Sequence, residues 1–426
     1  MREPDETEYE YALCSVAASN AVAFRRPPLP GEEGFGEYFR YILGKMDPAS
    51  STGLGMYSHY TNIGRALGHD GFRFAEVSRV EEFQRCVEAR IYSFERCLSE
   101  QSWVNTWSEA SVGKQITQQT CGCQEEEESR SDPIKLFIKD EPHSIKKVRE
   151  GRFRLLHSFS MIDQMIDRLL FWPWIGAEMR DPMEVSSKAG WAPLPAGYQR
   201  MIAEFPSNES VAVDKSSWDW TMPGWVVSAY IDLKIGQCRD VTPRYVHLIQ
   251  HRLERVLGPQ SRFRMPDGQE WVQNDWGLMK SGFLLTLSMN GAAQAFQHAL
   301  AWLRMGCSGK PPIIWTMGDD TLTRMSQDPG FLARYEDALG STGCLVKKLE
   351  TQREFAGFLV KGNSVTTAVV DPLYPDKHQF VMRYLEPSVE RDTLLSFSLL
   401  YSLSGLKWFE NVARKRGFRV GLMQRL

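Results

Sequence analysis

The chain has 426 residues, of which 42% are hydrophobic and 24% charged, a composition typical of globular proteins long enough to bury a large core. The formal net charge of −3 gives no overall basic field, so any nucleic-acid partner would have to be held by local basic patches. The polar, acidic N-terminus predicts no signal peptide, and the longest apolar stretch, residues 393–406, is too short to span a membrane and predicts a buried helix.

The eight cysteines are scattered along the chain. The closest pair, Cys121 and Cys123, lacks a second cysteine or histidine pair at the spacing of a structural zinc site. We therefore expect reduced thiols in a cytosolic protein, with a structural zinc as the alternative. The acidic run at 124–132 predicts a solvated loop and a boundary between parts of the chain.

Strand and helix patterns alternate after this boundary. Residues 133–160 begin with the alternation of a strand, and residues 161–174 have helical spacing that we expect to end at Pro173. The sequence "VAV" at Val211–Val213 predicts a buried strand, and residues 225–237 predict a helix.

The second half of this region continues with turns and helices. Residues 263–273 predict a hairpin about Asp267–Gly268, and Ser281–Gly282 would open a long helix. A hairpin about Gly318 follows, then a helix at Phe331–Leu339, two strands within 344–360, and helices towards Leu426. The order strand, helix, helix, hairpin, helix, strand predicts an α+β fold.

Two adjacent carboxylates, Asp319 and Asp320, stand at the tip of the hairpin in "IIWTMGDDTL". Like charges side by side repel each other, and divalent cations would remove that repulsion. Mg²⁺ prefers carboxylate and phosphate oxygens, and two such ions about 3.5–4 Å apart can hold both sides of a phosphoryl displacement. The alternative for the pair in isolation is a solvated turn, where aspartate is common.

A second pair of acids favours the metal hypothesis. Asp214 ends the predicted strand, and Asp219 follows five residues later. The intervening "KSSW" can turn the chain so that both acids reach one site. We expect Asp214 to share the metal ions with Asp319, and Asp219 either to support the metal ligands or to read the substrate. The alternative for Asp214 alone is a helix N-cap.

A third polar set is spread over the sequence "SGFLLTLSMN". Ser281 and Gly282 would form a small turn that a substrate backbone can approach closely. A spacing of four would place Gly282, Thr286 and Asn290 on one helix face. Asn290 can both donate and accept hydrogen bonds, which suits a sugar hydroxyl. The alternative is a polar face turned to water, which the apolar character of the other faces disfavours.

Basic residues are concentrated in two segments. Residues 135–154 carry seven Lys/Arg against three acidic residues, a net +4, which would neutralise a triphosphate and its leaving pyrophosphate. A solvated basic loop is the alternative. Residues 401–426 carry six basic residues against one acidic residue, and they would line a nucleic-acid exit path or form a soluble helix and tail.

The order of these elements resembles that of the viral RNA-dependent RNA polymerases. A basic strand pair, D-x4-D, SG-x3-T-x3-N, GDD, a lysine-bearing segment and an aromatic hairpin follow one another as motifs F, A, B, C, D and E do in that family. Within the family, residues 135–360 look most similar to sobemovirus-type enzymes, with luteovirus-type enzymes close by.

This resemblance implies a right-hand polymerase fold with an antiparallel palm sheet flanked by helices. The fingers would span 1–205, with motif F at 135–160. The palm would span 206–360, with a fingers insertion around 240–278. The thumb would span 361–426.

The resemblance also implies roles for single residues. Asp214 and Asp319 would ligate two Mg²⁺ ions, for which Mn²⁺ can substitute, and Asp320 would be a weaker or water-mediated ligand. The network that checks the ribose 2′-OH, with the small motif B turn beside it, would comprise Asp219, Ser281, Gly282, Thr286 and Asn290.

Further implied roles fall on basic residues. Lys139 and Arg154 would hold the incoming triphosphate, Arg152 would assist them, and Lys146 and Lys147 would bind template. Either Lys347 or Lys348 would be the general acid for the departing pyrophosphate. Residues 354–360 resemble a primer-grip hairpin, and residues 48–55 a template-entry loop.

The implied function is templated RNA synthesis from NTPs. Gly318 before the aspartate pair and Asn290 in motif B distinguish the chain from reverse transcriptases and indicate ribonucleotide substrates. Expected partners are template and product RNA, NTPs, a protein primer and other viral replication proteins, in the host-cell cytoplasm. The alternative is a non-catalytic RNA-binding replicase subunit that keeps the polymerase fold.

Overall fold

The computed structural model describes residues 1–96, 131–141, 143, 145–259 and 261–418. Cys121, Cys123 and the acidic run at 124–130 lie outside the described residues, so the predictions made for them are not addressed. The same holds for the last basic residues of the chain, at 419–426.

The α-helices are, in chain order, α1 Glu6–Ala18, α2 Phe35–Leu43, α3 Ile63–Leu67, α4 Val77–Arg96, α5 Ile145–Arg149, α6 Met161–Arg180, α7 Tyr198–Glu204, α8 Trp218–Thr221, α9 Gly224–Gln237, α10 Pro243–Leu257, α11 Thr286–Arg304, α12 Pro329–Ser341, α13 Pro375–Arg383, α14 Glu390–Leu400 and α15 Trp408–Lys415. The strands are β1 Ile134–Ile138, β2 Leu155–Ser158, β3 Ser210–Lys215, β4 Arg262–Arg264, β5 Glu270–Val272, β6 Ile314–Met317, β7 Asp320–Arg324, β8 Val346–Glu350, β9 Glu354–Phe355, β10 Phe358–Lys361 and β11 Val369–Pro372. Short 3-10 turns lie at Val365–Thr367 and Pro387–Val389.

A four-stranded antiparallel sheet in the order β6-β7-β3-β8 forms the centre of the molecule. Because side chains alternate along a strand, one face of β3 buries Val211 and Val213 in the main core, which also contains residues of α9 and α11. The opposite face buries Ala212 in a second core with Trp315 and Leu322. The predicted strand and hairpin are thus neighbours in one sheet.

A second sheet, in the order β2-β1-β4-β5, joins the basic segment to the hairpin at Asp267–Gly268. β1 runs antiparallel to β2 and parallel to β4, where Ile134 lies opposite Phe263. Gly268 has φ +89° and completes the predicted turn between β4 and β5.

Helix α6 does not end at Pro173, so that prediction was wrong. Proline lacks the amide that would bond to the carbonyl four residues earlier, which is that of Leu169. The Tyr38 hydroxyl, from α2, donates to this carbonyl instead, at 3.1 Å. A contact with a residue far away in sequence therefore lets the helix continue to Arg180.

The C-terminal part contains a small sheet, β11-β10-β9, and three helices packed around Leu394, Phe397 and Phe409. The helix expected across residues 393–406 is α14, which ends at Leu400. Within the described part of the chain, no helix is long and apolar enough to cross a membrane.

Candidate active site

Three carboxylates meet at one end of the central sheet, and we call Asp214, Asp319 and Asp320 the carboxylate edge. Strand β3 pairs with β7 up to Val213 opposite Thr321, so Asp214 extends from β3 at the level where the β6–β7 turn begins. Gly318 opens that turn with φ +64°, a conformation that glycine adopts without strain. The backbone register therefore gathers acids that are more than a hundred residues apart in sequence.

The carboxylate edge carries an excess of negative charge. Desolvation raises the pKa of Asp320, and the charges of Asp319 and Asp214 raise it further, to about 6. Glu354 of β9 adds a smaller effect in the same direction, while the Ala356 amide donates to Asp320 and opposes it. The hairpin of β9 and β10 therefore lies close to Asp320.

The donor set of the carboxylate edge fits a hard divalent cation, since all three side chains offer carboxylate oxygens. In the described residues, however, no three acidic, histidine or cysteine side chains converge as ready-made metal ligands. The Lys347 ammonium lies 2.5 Å from Asp214 Oδ2 and pairs with that carboxylate. The three side chains therefore match a divalent cation in ligand type and in their placement at one edge of the sheet, but they do not form a complete metal site.

Asp219 reaches the same site through a tight turn. Ser217 has φ +52°, and α8 then brings Asp219 back towards the edge. Its Oδ2 accepts a hydrogen bond from Ser281 Oγ at 2.5 Å. Burial raises the pKa of Asp219 most, and the charge of Asp319 adds to it, against the lowering effects of Ser281 and Arg154. Asp219 is thus close to both the acids and the basic segment.

The motif B residues are arranged differently from the prediction. α11 begins only at Thr286, so the expected single helix face with Gly282 was wrong. Gly282 has φ +117°, and a Cβ there would lie 2.3 Å from the His157 carbonyl oxygen. His157 N donates to Ser281 O at 2.8 Å, which holds the turn against β2.

Two residues of α11 differ in their surroundings. The Thr286 hydroxyl donates to the carbonyls of Lys280 and Phe283, at 2.9 and 2.8 Å, so it fastens the preceding loop. Asn290 is buried, and its side-chain oxygen has no hydrogen-bond partner among the residues that the structure describes. A buried polar oxygen left unpaired is available to a ligand hydroxyl.

The structure separates the two lysines that the sequence left as alternatives. Lys347 Nζ contacts Asp214, and this hydrogen bond raises the lysine pKa. Lys348 pairs instead with Glu350 on its own strand. Lys347 is therefore the lysine at the carboxylate edge.

We call residues 135–154 the basic arm. Two of its predicted phosphate ligands, Lys139 and Arg154, lie together because both contact Glu141, at 2.9 and 3.1 Å. Arg152 contacts Glu150 and is not part of that group. Lys146 and Lys147 are exposed on α5.

The sequence reasoning missed Lys215, which is only 4% exposed. It shares the face of β3 that carries Val213, opposite to Asp214. Its ammonium donates to Gln297 at 2.9 Å and to Gln294, and it lies 4.9 Å from the centre of the Trp218 ring. Gln294 and Gln297, three residues apart on α11, were the signal in the sequence for a buried polar partner.

Comparison with known proteins relates the chain to viral replication proteins. A profile of the family "Viral RNA-directed RNA-polymerase" matches residues 88–193, a segment that ends before Asp214. The chain is 30% identical over 200 residues to the replicase polyprotein P2AB of Southern bean mosaic virus, covering 45% of this chain and 19% of that protein. It is 30% identical over 225 residues to protein P1-P2 of Pea enation mosaic virus-1, covering 48% and 18%.

A shorter relative and a solved structure extend the comparison. The chain is 28% identical over 233 residues to the RNA-directed RNA polymerase of Mushroom bacilliform virus, covering 53% of this chain and 54% of that protein. The Sicinivirus 3Dpol RNA-dependent RNA polymerase superposes with a TM-score of 0.67 at 15% identity, covering 100% of this chain and 85% of that chain. This confirms the predicted α+β right-hand fold. The chain is similar to viral RNA-directed RNA polymerases of the sobemovirus and luteovirus type.

Proposed function

We propose that the chain is an RNA-dependent RNA polymerase that copies viral RNA from NTPs by two-metal nucleotidyl transfer. The carboxylate edge carries this proposal, because its three aspartates lie at one end of the central sheet, beside the Asp219–Ser281 pair, which is within electrostatic reach of Arg154. Asp214 and Asp319 would hold Mg²⁺ or Mn²⁺, with Asp320 as a weaker ligand. When bound, the ions would activate the attacking 3′-hydroxyl and neutralise charge on the phosphates.

The other residues would position the substrate and move a proton. Ser281 fixes Asp219 for the ribose 2′-hydroxyl, and the unpaired oxygen of Asn290 supplies a second polar contact. Lys139 and Arg154 would bind the triphosphate through charge-assisted hydrogen bonds. Lys347 would donate a proton to the departing pyrophosphate.

The proposal includes template and product RNA as partners. A protein primer, other viral replication proteins and a site of action in the host-cell cytoplasm are further parts of it. The alternative, a non-catalytic RNA-binding subunit, is less well supported, because Asp214, Asp319 and Asp320 are all present at the edge.

Incorporation of labelled NTPs on a short RNA template tests the proposal, with Mg²⁺ or Mn²⁺ and with or without a primer. We expect template-dependent product from the unchanged chain and none from Asp319→Ala. Asp337→Ala is the matched control, because it removes an exposed aspartate from α12, away from the edge. Product from folded Asp319→Ala would contradict the metal assignment, and RNA binding without any product from the unchanged chain would favour the non-catalytic subunit.

A further inference from the structure

Glu141 of the basic arm is surrounded by three cations from two parts of the molecule. Its carboxylate lies 2.9 Å from Lys139 Nζ and 3.1 Å from Arg154 Nη1. Lys377 of α13, in the C-terminal part, brings its ammonium to 3.6 Å from the same carboxylate. The Glu141 side chain is only 13% exposed, against 37% for Lys139, 62% for Arg154 and 47% for Lys377. One sheltered anion therefore joins three accessible cations.

Charge and backbone geometry hold Glu141 in this position. Burial alone would raise its pKa, but the hydrogen bond from Lys139 and the charges of Arg154 and Lys377 outweigh burial and lower it to about 2. Lys139 N donates to Arg154 O at 2.8 Å. His143 bridges the Glu141 carbonyl at 2.7 Å and the Arg154 amide at 3.2 Å, so the carboxylate is presented from a closed loop.

The pair of cations that Glu141 neutralises is the pair expected to bind the triphosphate. A carboxylate and a phosphate offer similar oxygen acceptors to lysine and arginine, so they would compete for the same donors. A sheltered carboxylate that lost all its cations would be strongly destabilised. Lys377 removes this difficulty, because it can remain with Glu141 after the other two cations have turned to a phosphate.

We propose that Glu141 occupies the triphosphate-binding cations Lys139 and Arg154 in the nucleotide-free protein, and that Lys377 retains Glu141 when a triphosphate displaces it. This inference rests on the proposed function in one respect, the use of Lys139 and Arg154 as phosphate ligands. Beyond that function, it makes Glu141 an internal anion that competes with the triphosphate, and it makes Lys377 of the C-terminal part the residue that sets the strength of this competition.

Binding of inorganic tripolyphosphate to the full chain, measured by calorimetry without metal or template, tests the proposal apart from catalysis. Glu141→Gln removes the competing charge with little change of shape, so we expect it to tighten binding about 3- to 10-fold. Lys377→Met leaves Glu141 with only Lys139 and Arg154 as partners, so these two cations are held more tightly by Glu141. We therefore expect this variant to weaken tripolyphosphate binding about 2- to 5-fold. The two variants are thus expected to change the affinity for tripolyphosphate in opposite directions.

A double variant and a control variant distinguish the effect of the contact between Lys377 and Glu141 from the effect of removing any positive charge from the protein. In the Glu141→Gln background, Lys377→Met should change the affinity no more than Lys407→Met does. Lys407 is an exposed lysine whose ammonium lies 3.1 Å from Glu410 in the same C-terminal part. Melting curves identify any variant that fails to fold, and Lys377→Met tests the idea even where Glu141→Gln does not fold.

Each contrary result has a defined meaning. Weaker binding by folded Glu141→Gln would overturn the proposal and make Glu141 a scaffold for the two cations. An effect of Lys377→Met no larger than that of Lys407→Met would overturn the role of Lys377. Failure of the unchanged chain to bind tripolyphosphate would overturn the whole inference, while incorporation of NTPs lost in Asp319→Ala would still support the polymerase assignment.

Discussion

The carboxylate edge and the basic arm are built by different means. The edge is fixed by backbone hydrogen bonds, because the pairing of β3 with β7 and the β6–β7 turn place its acids directly. In the basic arm, one backbone hydrogen bond joins Lys139 to Arg154, but their charged ends, which are 37% and 62% exposed, are placed by ion pairs to Glu141 in the loops between β1 and β2. Rigid strands place groups accurately, whereas exposed ion pairs are weak and adjustable. The edge is therefore suited to chemistry, and the arm to a substrate that arrives and leaves.

The largest difference in activity is expected between variants of Lys347, which contacts the carboxylate edge, and variants of its neighbour Lys348. Lys347→Met should lower the rate of single-nucleotide incorporation at saturating NTP by roughly 10²-fold or more, the usual contribution of a general acid. Lys348→Met, whose side chain contacts Glu350, should change the rate less than about twofold because exposed ion pairs contribute little.

A charge-keeping variant sharpens this comparison. Lys347→Arg retains a cation beside Asp214 but cannot readily release a proton. It should therefore be nearly as slow as Lys347→Met. Equal rates for the variants at 347 and 348 would show that neither lysine is the acid.

Two glycines test how far backbone geometry determines the site. Gly282→Ala combines φ +117° with a contact of 2.3 Å to the His157 carbonyl oxygen. We expect it to lower the free energy of unfolding by roughly 2–4 kcal/mol, with loss of activity. Gly318→Ala meets open space at φ +64° and should cost only about 1 kcal/mol. Urea unfolding measures both, and similar losses would mean that the Ser281–Gly282 loop can relax.

The sequence predicted the carboxylate edge well because each of its parts is local. An apolar strand ending in Asp214 and a glycine turn before Asp319 are both visible in short windows, and pairing in one sheet brings them together. The same holds for the hairpin at Asp267–Gly268 and for the helix at Phe331–Leu339, which lies within α12.

The features that the sequence missed depend on distant residues. Pro173 stays inside α6 because the Tyr38 hydroxyl satisfies the Leu169 carbonyl. The helix begins only at Thr286, after a turn at Ser281 and Gly282 to which β2 bonds through His157. The ion-pair partners could not be predicted from the sequence either, because Lys347 could be distinguished from Lys348 only after β8 was placed beside β3.

Ribose recognition is expected to be the next most sensitive property. Ser281→Ala removes the 2.5 Å hydrogen bond that orients Asp219. We expect the preference for NTP over dNTP, measured as the ratio of kcat/KM values, to fall roughly tenfold, since the loss of one such bond corresponds to about 1.4 kcal/mol. Asp219→Asn should act in the same direction. An unchanged ratio in both variants would remove this pair from sugar recognition.

The smallest effect is expected on the exposed face of the basic arm. Lys146→Gln with Lys147→Gln removes two charges from α5, where they would meet template phosphates. Binding of a short single-stranded RNA should weaken a few-fold at low salt, and the slope of log K against log salt should become shallower by roughly 1.4, about 0.7 for each phosphate contact.

The matched control for this pair removes the same charge elsewhere, through Lys45→Gln with Lys310→Gln, two exposed lysines outside the basic arm. If the arm binds RNA locally, only the pair on α5 should change the slope. If both pairs change it equally, the RNA responds to the general charge of the protein, because screened long-range attraction does not depend on which lysine is lost. The basic arm would then act on the triphosphate alone, through Lys139 and Arg154, and the template would have to be held by other surfaces.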